Sequence, residues 1–315
     1  MARYRDALPQ LNDNLFLTDG GIETALIYQH GFELPEFAAF VLLDSQRGRE
    51  ALSSYLRGYA DVAAREGTGF VLETATYRAS ADWARKIGFS RGQVADFNRR
   101  AIDLLCDIRR EYEDRIPHMV ISGCLGPRGD GYNPTNIMTP EEAEAYHGEQ
   151  IATFADTEAD LVTAHTIPYV EEAVGIARAA RSLRMPSVIS FTLETDGRLP
   201  SGQGLREAIE RVELETDGAP AYYMTNCAHP THFMDVLSGD GWLERIRAVR
   251  ANASLMSHAE LEQAEELDDG DPVQFGREHV ELRGLLPNLN IFGGCCGTDH
   301  RHVDQVSRAV LAAAA

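Results

Sequence analysis

Residues 291–300 read IFGGCCGTDH. An apolar, β-prone pair runs into two glycines, two adjacent cysteines and a third glycine. Thr298 follows as a helix cap, and His300 and His302 open the next helix. This is a strand handing over to a helix through a permissive turn, and the same alternation recurs back along the chain. Strands are expected near 15–19, 69–74, 118–123, 160–164, 187–192, 221–226, 246–251 (weakly patterned) and 289–293. Helices are expected between them, among others over 49–67, 93–113, 139–159 and 169–183. The third begins with Thr139, Pro140 at the first helical position and Glu142, a capping-box start.

Eight strands alternating with helices fit a closed barrel or an open doubly wound sheet. No GxGxxG follows the first strand, and 315 residues suit eight βα repeats. The sequence therefore predicts an α/β fold, a single (β/α)8 TIM barrel forming one domain over residues 1–315. No linker, repeat array or low-complexity segment interrupts it. The acidic stretch at 258–272 is expected to be a solvated insertion near the seventh strand.

Lys and Arg number 29 against 49 Asp and Glu, a net charge of −20. That balance argues against nucleic acid and against an anionic membrane surface as partners, and leaves small molecules. The N-terminus has no secretory apolar core, and the longest apolar run, at 37–43, is too short to span a bilayer. Five cysteines, an odd number, do not make a disulfide framework. The expected compartment is a reducing cytoplasm, and the oligomeric state stays open.

In a barrel, chemistry sits where strands end. Cys295 and Cys296 follow the eighth strand, and Cys227 follows the sixth. Neighbouring strand residues face opposite ways, so Cys295 and Cys296 can share a ligand only if the chain leaves β geometry. Gly293, Gly294 and Gly297 make that departure inexpensive. Three thiolates from two strand ends would form a tripod for Zn2+ with an open fourth position, the mark of a catalytic site. An open zinc of this kind ionises an incoming thiol at neutral pH. The competing readings are a vicinal disulfide switch, which would make the chain a redox or zinc sensor, and two ordinary buried cysteines. Glu73, Thr76, Glu194 and Cys124 also fall at strand ends, where they would line a pocket. The plainer reading of Cys124 is a small buried residue in a Gly-rich turn. Cys106 is expected in the core.

Together "GGCCGT" (293–298), "NC" (226–227), "DGG" (19–21), "TYRAS" (76–80) and "TIPYVEEA" (166–173) make the chain resemble the homocysteine S-methyltransferases, over nearly its whole length. The resemblance implies a (β/α)8 barrel with zinc on Cys227, Cys295 and Cys296, and methyl transfer to a thiol. It also implies Asp19, Gly20, Gly21 and Asn226 as substrate-binding residues, the first three near the amino-acid end of the acceptor. Two departures stand out. Where the family has Glu before "TIP", this chain has His165, so the carboxylate expected to hold the acceptor's ammonium is missing. The acceptor is then homocysteine held differently, with Glu194 as a candidate replacement, or a thiol without a free amine. Arg78, beside Tyr77, stands where betaine-using relatives have an aromatic residue. A guanidinium repels quaternary ammonium and attracts a carboxylate, which disfavours betaine and suits a carboxylate on a sulfonium donor such as S-methylmethionine or S-adenosylmethionine, or on the acceptor itself. A surface salt bridge is the plain alternative for Arg78.

Overall fold

The computed structural model describes residues 2–239, 241–264 and 266–314. Eight parallel strands close into one barrel in sequence order: β1 (Phe16–Leu17), β2 (Gly69–Glu73), β3 (Met119–Leu125), β4 (Leu161–Ile167), β5 (Ser187–Thr192), β6 (Tyr222–Asn226), β7 (Ile246–Ala251) and β8 (Ile291–Gly294). The first and last strands seal it, with Phe16 opposite Ile291 and Leu17 opposite Phe292. The expected strands are all present, including the weakly patterned seventh.

Strand alternation explains both the core and the site. Outward residues such as Phe70, Leu72, Ile121, Val162, Ile189, Tyr223, Val249 and Phe292 pack against the helices in one large cluster. Inward residues at the N-terminal end (Phe16, Val71, Val120, Leu161, Val188, Tyr222, Ala248 and Ile291) form a separate apolar plug. Two and four positions further on, the same inward faces carry Glu73, Ser122, Cys124, Thr163, His165, Ser190, Asn226 and Arg250. The barrel is thus greasy at the bottom and polar at the top.

The bottom is closed by the N-terminal arm. Arg3 and Tyr4 donate their backbone N–H groups to Asp160 Oδ1 at 2.7 and 2.8 Å, and Leu8 joins the apolar plug. Helices begin as their sequences dictate. Ser45 caps Gln46–Glu66 by accepting from Gly48 N at 3.0 Å, and Thr139 and Glu142 form the capping box of Pro140–Ala155. Cys106 is half-buried against the core, its thiol 3.7 Å from Glu158. No helix among the described residues is long and apolar enough to cross a membrane.

Candidate active site at the C-terminal ends of the strands

A cavity of about 610 Å³ opens at the top of the barrel. On its wall, Cys227, Cys295 and Cys296 place their sulfurs within 4.8 Å of one another. The Cys227 and Cys296 sulfurs are 4.0 Å apart, and those of Cys227 and Cys295 stand within covalent reach. The close pair therefore joins β6 to β8; it is not the vicinal pair. A tetrahedral metal with sulfur ligands at about 2.3 Å spaces them about 3.8 Å apart; the Cys227–Cys296 separation matches that, and the Cys227–Cys295 pair has to be reduced and part to meet it. Burial pushes the Cys296 thiol up to about 12, so as a free group it stays protonated at neutral pH.

The backbone does what the glycines permit. β8 ends at Gly294, Cys295 N–H donates to Ala251 O at 2.8 Å, and Gly297 turns the chain at φ 79°. Cys227 itself adopts φ 55°, a strained conformation for a non-glycine residue. The Asp-Gly-Gly turn packs against this loop. A Cβ on Gly21 would lie 2.5 Å from the Cys295 carbonyl oxygen, and one on Gly20 would lie 2.6 Å from the Tyr59 hydroxyl. Thr298 ties the two together, donating to Cys295 O at 2.7 Å while accepting from Gly21 N at 3.2 Å. It is thereby used up, and Asp299 caps the last helix instead, accepting from Arg301 N at 2.9 Å.

Asn226 is fully engaged. Its Oδ1 accepts from Thr166 N at 2.8 Å and Ser190 Oγ at 2.6 Å, and its Nδ2 donates to Thr166 Oγ1 at 2.8 Å while facing Cys295 Sγ at 3.8 Å. It lines the cavity, with three of these bonds to Thr166 and Ser190 and one contact to Cys295.

The floor carries a charge cluster that no sequence motif announces. Arg250 of β7 is buried between Asp19 and Glu73. Its Nη2 lies 2.9 Å from Asp19 Oδ1, and its Nη1 donates to Glu73 Oε2. It also donates to the carbonyls of Gly20 at 2.9 Å and Gly294 at 3.0 Å. His165 Nε2 lies 2.7 Å from the same Glu73 oxygen. Burial favours the neutral form of both acids. It prevails at Asp19, which is raised despite Arg250. At Glu73 it is outweighed by His165 and Arg250, which hold the carboxyl down at about 2. The carboxylate beside His165 is therefore Glu73, 92 residues earlier. Arg250 was legible only as an inward-phase Arg two residues after Ala248.

Two expected pocket residues lie elsewhere. Thr76 is fully buried and donates to Cys124 O at 2.8 Å, behind the cavity wall. Glu194 faces a smaller recess and pairs with His258 Nδ1 at 3.2 Å, because the loop after β5 carries it past the rim. Asp19, Gly20, Gly21, Glu73, Tyr77, Arg78, Cys124 and His165 do line the cavity. Burial raises the Cys124 thiol well above its usual range. Arg78 makes no ion pair among the described residues; its guanidinium stacks 3.6 Å from the Trp83 ring centre and 4.7 Å from that of Tyr77. The acidic stretch at 258–272 is no detached surface: Leu261, Glu262, Glu266 and Asp268 form part of the cavity rim. Residue 265 lies outside the described residues. His229 is held by Glu278 at 3.2 Å.

The homocysteine S-methyltransferase family model matches residues 16–310. The chain belongs to that family. It is accordingly a member of a methyltransferase family, and the sensor reading of its cysteines gives way to an enzyme. Homocysteine S-methyltransferase 4 of Zea mays is 24% identical over 323 residues, covering 93% of this chain and 89% of its own. Selenocysteine Se-methyltransferase of Brassica oleracea var. italica is 24% identical over 221 residues, but that match spans 61% of the relative's length. The crystal structure of the homocysteine methyltransferase MmuM of Escherichia coli, in its metallated form, shares the fold. Its TM-score is 0.72 at 18% identity, over 96% of this chain and 98% of that one.

Proposed function

We propose that this protein is a zinc-dependent S-methyltransferase, with Cys227, Cys295 and Cys296 as the metal's ligands and homocysteine as the acceptor thiol. The observation that carries this reading is the convergence of three sulfurs from two strand ends on one face of a 610 Å³ cavity. Zinc bound there would supply Lewis acidity that ionises the acceptor thiol at neutral pH. The chain's own residues do the rest. Asn226 and the Gly21–Thr298 contact fix the cysteine loop. The walls hold the acceptor sulfur in line with the donor's methyl group. The new S–CH3 bond forms as the donor's S–CH3 bond breaks, and the sulfonium donor leaves as a neutral thioether. The thiol's proton is released to solvent on ionisation, before the transfer, so the cavity has no general base to supply.

A second reading, an amine-free acceptor thiol, is favoured by one observation: Asp19 and Glu73 are both already paired with Arg250. A panel of homocysteine and amine-free thiols, each offered S-methylmethionine and S-adenosylmethionine, separates the two. Mass-spectrometric detection of methylated homocysteine supports the first, and methylation confined to amine-free thiols supports the second. No methylated product with any pair sinks both.

A further inference from the structure

Glu23 carries a cavity-lining carboxylate that belongs to none of the motifs. It lies two residues beyond the Gly20–Gly21 turn, partly buried, and makes no ion pair among the described residues. Its situation differs from that of the two deeper acids. Asp19 and Glu73 are already engaged, Asp19 by Arg250 and Glu73 by Arg250 and His165. Burial, with Asp19 adding to it, raises the Glu23 carboxyl to about 7, and its own backbone N–H, Arg250 and Arg78 pull it only part of the way back.

Arg78 is the mirror case, a cavity-lining cation with no carboxylate partner. Stacking between Trp83 and Tyr77 pins the guanidinium. Among the described residues its Nε is buried without a hydrogen-bond partner, and its guanidinium makes one long hydrogen bond, 3.5 Å from Nη1 to Gly129 O. The two charges lie close enough for Arg78 to act on Glu23, yet they form no contact. An unpaired guanidinium and an acid that a bound ammonium would ionise, both lining one cavity, are complementary to a molecule with both charges on one carbon.

We propose that Glu23 and Arg78 form an amino-acid clamp, Glu23 receiving the α-ammonium and Arg78 the α-carboxylate of a substrate whose sulfur reaches the cysteine triad. The proposal builds on the methyl-transfer reading and names how an amino-acid substrate is held although His165 stands where the family has Glu. S-methylmethionine and homocysteine share this zwitterionic end, and the test separates them.

Calorimetric binding on the zinc-loaded, full-length protein compares each amino acid with its des-amino and carboxamide analogues. For one of the two amino acids, Glu23→Gln should weaken binding by roughly ten- to a hundredfold. The same variant should leave the des-amino analogue within about twofold, a selectivity that a merely structural role would not produce. Arg78→Gln should show the same pattern toward the carboxamide. Whichever amino acid responds is the occupant. Equal losses for parent and analogue, no loss, or no binding of either amino acid to the wild type would overturn the clamp. Methyl transfer by the wild type is assayed separately, so a clamp pattern without turnover would sink the transferase reading and spare the clamp.

Discussion

At Arg250, a single guanidinium holds two buried carboxylates and two backbone carbonyls at the floor of the cavity. Replacing it with Met leaves Asp19 and Glu73 without their cation, and breaking a buried network from one side costs about 3–5 kcal/mol. Denaturant unfolding of Arg250→Met should show a loss of that size; a loss under about 1 kcal/mol would mean that water or His165 already satisfies both acids. This part of the site was only half legible. His165 announced itself as the wrong residue before "TIP", but its partner did not. Glu73 lies two strands away, and only closure of the barrel brings β2 and β4 side chains together across the interior. Glu23 was missed for a related reason: an acid after a glycine turn looks like any surface acid until the cavity forms around it.

At the scale of the element, the β8 turn and the Asp-Gly-Gly turn work as one unit. Gly21 is glycine because a side chain would strike the Cys295 carbonyl. Gly21→Ala should therefore destabilise the fold by about 1–3 kcal/mol through overpacking and loosen metal binding, because relief of the clash moves the loop that presents Cys295. Melting temperature and zinc affinity measured together test this. A variant with wild-type values for both would show that the loop yields without moving the sulfurs. The strands and most helices were legible because alternation and caps are local signals. The left-handed backbone of Cys227 was not, since no local residue pattern calls for a positive φ at a cysteine. The acidic stretch at 258–272 read as surface because its composition is polar; its place on the rim follows from where β7 ends, which composition does not encode.

For the whole molecule, the outer packing contains a group that resists acid. His279 is buried under β8, its Nδ1 donating to Phe275 O at 2.8 Å and its ring against Phe275 and Phe292. Burial lowers its pKa from 6.5 to about 4. The folded state therefore binds this proton less readily than the unfolded chain does. The associated stability is fully present above about pH 6.5 and is lost as pH falls towards 4, by about 3 kcal/mol in all. Unfolding free energies for wild type and His279→Gln across that range should differ in slope, with the variant flatter. Parallel slopes would show that other groups govern the acid response. The barrel as a whole was legible because eight repeats of one unit leave few ways to close. The division into an apolar lower plug and a polar upper site follows from the same alternation, once the strands are in register.

In the proposed enzyme, three cysteines hold zinc with a fourth position free for the acceptor's sulfur. Zinc-edge X-ray absorption on anaerobically prepared, zinc-loaded protein tests this arrangement directly, without thiol and then with homocysteine and amine-free thiols in turn. Three sulfur ligands at about 2.3 Å are expected, rising to four when the acceptor is added. Failure to retain zinc, or a count that stays at three with every thiol offered, would contradict it.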